Sequence, residues 1–248
     1  STTKQGPLTG NANNQAFNMG APMLDVSAFQ NPPLNGAVNK IQLLADYDIE
    51  LILDSSMSMR QADCPGGLSR WTWCGVQAGQ LARQLAPFVR KGFTITTFAG
   101  DYDVYENATP GNITYLFQNT RLSMGTRMAE PLQDRLGAYF NKRASVSKPL
   151  LVAVISDGVP VPAYEPRMVA EVLIAASKRM KNPNEVIVVF FQIGSSNFKG
   201  KQFLYDLDNR LVRYGARYDL VRNVPFEQVV QVGLAQALVD SIIDFASK

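Results

Sequence analysis

The strongest constraint on this chain is a pair of unbroken apolar runs, residues 150–155 (LLVAVI) and 186–191 (VIVVFF). A strand that is apolar at every position must be covered on both faces. That is the situation of a parallel strand inside a layered α/β sheet. These runs sit within strand-like stretches at 149–155 and 186–193, and further stretches fall at 47–53, 93–98 and 218–221. Helical periodicity fills the gaps, at 70–90, 127–143, 165–181, 199–213 and 225–245. In the first of these, Trp73, Val76, Leu81, Leu85 and Phe88 recur at helical spacing, and the last reads as amphipathic, with Phe226, Val229, Val230, Leu234, Leu238, Ile242 and Phe245 on one stripe. Strand and helix alternate in this way from residue 46 onward. The pattern predicts one doubly wound α/β domain, a mostly parallel central sheet flanked by helices. Residues 1–40 differ: they are rich in Asn, Gly, Pro, Gln and Ser and show no sustained period. They read as an arm or linker preceding a domain at 41–248.

In such a sheet, ligands bind beyond the carboxyl ends of the strands, where the strand order reverses. The residues just after each strand therefore carry the functional information. Residues 47–53 run into Asp54-Ser55-Ser56-Met57-Ser58, and residues 149–155 into Ser156-Asp157-Gly158. After 93–98 come Ala99-Gly100-Asp101-Tyr102-Asp103. Asp54, Ser56 and Ser58 stand at alternate positions, so in an extended strand exit their side chains point the same way. One carboxylate and two hydroxyls are hard oxygen donors. They suit Mg²⁺, Mn²⁺ or Ca²⁺ and disfavour zinc or copper.

What the chain lacks narrows the chemistry further. It has no histidine, which excludes Ser-His-Asp and Cys-His catalysis and His-ligated zinc. Its two cysteines, Cys64 and Cys74, cannot build a four-cysteine metal site. Their spacing leaves open a disulfide closing a short loop or two free thiols. A net charge of +3, with basic residues clustered no further than pairs, does not call for a nucleic-acid partner. No apolar run reaches the roughly 18 residues of a membrane span, so none is expected. No signal peptide is visible behind Ser1, and the compartment stays open.

Asp-x-Ser-x-Ser after the first core strand, Gly125-Thr126 in a mid-chain loop, and Ser156-Asp157-Gly158 after a later strand together resemble the metal-ion-dependent adhesion site of von Willebrand factor A domains. The resemblance covers about residues 46–246. It implies a complete site of Asp54, Ser56, Ser58, Thr126 and Asp157 around one divalent cation, Mg²⁺ or alternatively Mn²⁺ or Ca²⁺. Ser56, Ser58 and Thr126 would bind the cation directly, and Asp54 and Asp157 mainly through water. A protein partner would complete the shell with an Asp or Glu. One departure is Met57, where many members carry Gly; its bulk would narrow the rim.

Each piece also has a plainer reading. Asp-x-Ser-x-Ser can be an N-cap cluster, Thr126 the cap of a helix starting at Arg127, and Asp157 a turn residue before Gly158. Rim candidates for partner contact are Met57, Arg60, Trp71, Asp101 and Arg127; the plainer reading of Asp101, with Asp103, is a solvated acidic turn. The expected function is a non-enzymatic, metal-dependent interaction module. Two alternatives stand beside it. One is a Mg²⁺-dependent phosphoryl-transfer enzyme using Asp54 as nucleophile. The other is a structural subunit whose metal only staples loops.

Overall fold

A computed structural model describes residues 38–144, 148–194 and 198–247. Almost all of the expected arm lies outside these residues. From residue 41 the chain already packs: Ile41 and Leu44, in a short helical entry, are buried against the core.

The sheet has six strands: β1 Asp48–Asp54, β2 Phe93–Phe98, β3 Tyr102–Ala108, β4 Leu150–Ser156, β5 Val186–Gln192 and β6 Val221–Val224. Their order is β3-β2-β1-β4-β5-β6, and every pairing is parallel except β2 with β3. Helices α1 Arg70–Leu85, α2 Ile113–Asn119, α3 Ala129–Lys142, α4 Glu165–Arg179, α5 Phe198–Arg210 and α6 Phe226–Ala246 cover both faces. Side-chain parity along the strands builds two separate cores. Leu51, Leu53, Leu151 and Ile155 join α1 and α6 on one face. Ile52, Val152, Val154 and Phe190 join α3, α4 and α5 on the other. The doubly wound expectation is met.

Several local expectations change. α1 ends at Leu85 rather than near residue 90, because Pro87 supplies no N–H to continue the ladder, and Phe88 is left exposed. β3 and α2 are added where the sequence suggested only a turn and loop. β3 (YDVYENA) is polar because it is an antiparallel edge strand wet on much of its surface, and its charges also guard that edge. The last strand lies at Val221–Val224, three residues beyond the expected start.

The last helix is corrected in two respects. α6 is not a single amphipathic stripe: its buried residues, including Leu234, Ala237, Leu238, Val239 and Ile242, run round most of its circumference, while Val230 is exposed. It is also kinked at Gly233, whose φ of 80° and ψ of 163° only glycine adopts readily. With 21 residues, and an 18-residue stretch of mean hydropathy 1.5, it is long and apolar enough to cross a membrane by length and composition, contrary to the sequence expectation. In this fold it is a core helix packed on α1 and β5.

Candidate metal centre

β1 and β4 are neighbours at the centre of the sheet, and the chain departs to opposite sides beyond them. This is the topological switch point, and Asp54 ends β1 while Asp157 follows β4. The two halves of the motif, a hundred residues apart in sequence, are brought together by strand register alone.

Asp54 is fully buried. Its Oδ1 accepts from the Ser56 backbone N–H at 2.8 Å, and its Oδ2 accepts from the Ser156 hydroxyl at 2.7 Å. Burial pushes its carboxyl up to about 6, against the hydrogen bonds that favour the carboxylate. The Ser56 and Ser58 hydroxyls lie 2.9 Å apart, and Ser58 donates to Asp157 Oδ1 at 3.0 Å. A serine has one hydroxyl proton. Ser58 has committed its proton to Asp157, so Ser56 donates to Ser58. Ser56 thus stands at the donor end of this relay and the Asp157 carboxylate at its acceptor end.

Thr126 sits on the adjoining loop. Ser123 donates its N–H to Ser55 O at 3.0 Å, and Val161 donates to Thr126 O at 3.1 Å. The loop after β2 closes from beneath: Arg127 N–H donates to Ala99 O at 2.8 Å. Gly125 has φ 102°, and a Cβ there would lie 3.0 Å from the Gly100 backbone. The Gly of Gly-Thr is thus required twice, by conformation and by close backbone approach. Thr126 is not a helix cap. α3 starts at Ala129, whose N–H is capped by the Glu165 carboxylate at 3.0 Å.

Of the rim candidates, Met57 and Arg60 are exposed on a short 3₁₀ helix that follows β1, and Asp101 and Arg127 are exposed on loops. Trp71 is corrected. It is 8% exposed, its ring packs at a tilt against Phe117 with centroids 4.7 Å apart, and its indole N–H donates to Phe117 O. It belongs to the core because α2, unforeseen in the sequence, covers it. The cysteines are free and buried; burial pushes the Cys64 thiol up to about 11 and that of Cys74 well above its ordinary value. Both stay protonated at neutral pH and are poor metal ligands.

Sequence reasoning missed three participants: Ser156 as a partner of Asp54, and the pair Asp63 and Arg70. Arg70 Nη1 donates to Asp157 Oδ2 at 2.7 Å, and its Nε and Nη2 grip both oxygens of Asp63 at 2.8 and 2.6 Å. One signal was available. Arg70 is the first residue of α1, the end of a helix dipole where a cation is disfavoured. A cation held there calls for nearby acids.

The donor set fits a small hard cation. Among the described residues no group of three carboxylates or thiols gathers. A cation here would therefore draw on hydroxyls, together with two carboxylates, in keeping with oxygen-only coordination.

No protein-family model matches the sequence, and comparison with curated proteins finds no match. Solved structures share the fold. Manganese-loaded TRAP protein of Plasmodium vivax aligns with a TM-score of 0.52 at 17% identity, over 79% of this chain and 73% of that one. The pilus adhesin SpaC of Lactobacillus rhamnosus GG aligns with a TM-score of 0.53 at 15% identity, over 80% of this chain and 31% of that one. At such identities the likeness is one of fold, an α/β architecture of the von Willebrand A and Rossmann-like kind.

Proposed function

We propose that this chain is a protein-binding module of the von Willebrand A type that works through one divalent cation, Mg²⁺ or alternatively Mn²⁺ or Ca²⁺. Ser56, Ser58 and Thr126 would bind the cation directly, Asp54 and Asp157 would act mainly through water, and an Asp or Glu of a protein partner would complete its shell. The observation that carries this reading is the hydroxyl relay Ser56–Ser58–Asp157 at the sheet's switch point, with Asp54 accepting from the Ser56 backbone N–H and the Thr126 loop bonded beside it. Two neighbours of the same fold add support, one bearing manganese and one named an adhesin. Hydroxyl ligands carry no formal charge, so the bound cation keeps an attraction for one more anion. The exposed rim residues Met57, Arg60, Asp101 and Arg127 would surround the point of contact.

The phosphoryl-transfer alternative meets a physical obstacle. A nucleophilic carboxylate must present an oxygen to its substrate. Asp54 is wholly buried, and both its oxygens already accept hydrogen bonds.

The test is capture of partner proteins on the immobilised full chain in Mg²⁺, in EDTA, and with Ser56→Ala/Ser58→Ala. Proteins retained only by the wild type in Mg²⁺ are expected. Retention that survives both EDTA and the substitutions would favour a metal that merely staples loops.

A further inference from the structure

We propose that Arg70 is a built-in counter-ion of the candidate metal centre, a positioning residue that fixes Asp157 and sets how tightly a cation is held. The inference rests on the reading above. Its basis is a three-residue network. Arg70 is 6% exposed and divides its guanidinium between Asp63, gripped through two nitrogens, and Asp157 Oδ2. The seat is shaped for it. Gly194, at the end of β5 with φ 82°, packs so closely that any Cβ there would overlap the guanidinium. Asp157 thereby has one oxygen bound to Arg70 and the other bound to Ser58.

Arginine keeps its charge under all conditions a protein meets. Without a cation, Arg70 compensates two carboxylates that would otherwise be crowded and only partly hydrated. With a cation, its charge opposes the newcomer across a shared Asp157. Removing it therefore raises the free energy of the empty site more than that of the loaded one, and cation binding tightens. Arg70 also bears on the partner. Asp54, Asp63 and Asp157, which do not gather at one point, together carry three negative charges against the two positive charges of a divalent cation. With Arg70 the charges balance, and an incoming carboxylate is not repelled.

The same geometry predicts opposite signs for two neighbouring substitutions. Removing Arg70 tightens cation binding. Removing the charge of Asp63 leaves Arg70 less neutralised and weakens it. General damage to the site would weaken binding in both cases.

Mg²⁺ titration calorimetry on the full chain, paired with thermal melts in EDTA and in Mg²⁺, tests this. Arg70→Met is expected to bind Mg²⁺ about tenfold more tightly, a factor that corresponds to about 1.4 kcal/mol. It should also melt lower in EDTA and gain more from Mg²⁺ than the wild type does. Asp63→Asn is expected to bind more weakly, and Arg70→Lys to fall between Arg70→Met and wild type, because the charge remains but the fork that grips Asp63 and Asp157 is lost. Unchanged or weaker binding by Arg70→Met, in a wild type that responds to Mg²⁺, overturns this inference alone. If Arg70→Met does not fold, Arg70→Gln, which keeps a hydrogen-bond donor beside Asp157 without the charge, decides: tighter binding supports the inference, and equal or weaker binding overturns it. A wild type with no response to Mg²⁺ or Mn²⁺ overturns the proposed function and this inference with it.

Discussion

At the scale of single residues, Asp54 shows how burial and chemistry pull against each other. It ends β1 at the site and is fully buried there. Its carboxyl rises from 3.8 to about 6, chiefly through desolvation. A raised acid favours the protonated native state, so its contribution is present below pH 3.8 and is lost as pH climbs through 6. That change is worth on the order of 3 kcal/mol. Urea melts in EDTA should therefore show the wild type losing stability between pH 4 and 7 relative to Asp54→Asn. Parallel pH profiles would show that Asp54 is not the titrating group. Mg²⁺ affinity of the wild type should correspondingly strengthen through the same window, because a cation must displace the proton. Trp71 makes the contrasting case. Seated on Phe117 in the core, its replacement by Ala should cost about 3–5 kcal/mol in chemical denaturation. Stability near wild type would return it to the surface.

At the scale of elements, the central strands were legible because their chemistry is uniform. β4 and β5 are buried at every position and carry the unbroken apolar runs expected of strands covered on both faces, while β1 is buried beyond Asp48 although it carries Glu50. β3 was not legible, because an edge strand carrying Asp103 and Glu106 has the composition of a loop. α2 was hidden for a similar reason: it is seven residues long and buries only Ile113 and Leu116 fully. Missing α2 caused the error over Trp71. The kink in α6 was hidden too, since Gly233 stands in an otherwise strong helical pattern. There the freed Leu234 N–H is taken by the buried Gln77 side-chain oxygen of α1 at 3.0 Å. Gln77→Leu should orphan that donor and cost about 1–3 kcal/mol. Denaturant melts check the cost, and Mg²⁺ affinity should be unaltered; a change in affinity would mean that α6 is coupled to the metal centre.

At the scale of the whole molecule, the site exists because strand order sets two distant loops side by side. The sequence could show Asp54, Ser56 and Ser58 sharing one strand exit, and Asp157 at another. It could not show that β1 and β4 are adjacent, and so could not reveal Ser156 bonded to Asp54 or Arg70 bonded to Asp157. Those contacts depend on topology, which local periodicity does not encode. The central claim is that this junction holds one divalent cation through the motif's oxygens. Mg²⁺ titration calorimetry at pH 7.5, on the wild type and on Ser56→Ala/Ser58→Ala, tests it most directly. The account predicts one Mg²⁺ per chain in the wild type and loss of that binding in the folded variant. A wild type that takes up no Mg²⁺ or Mn²⁺, or a variant that binds as well as the wild type, would contradict it.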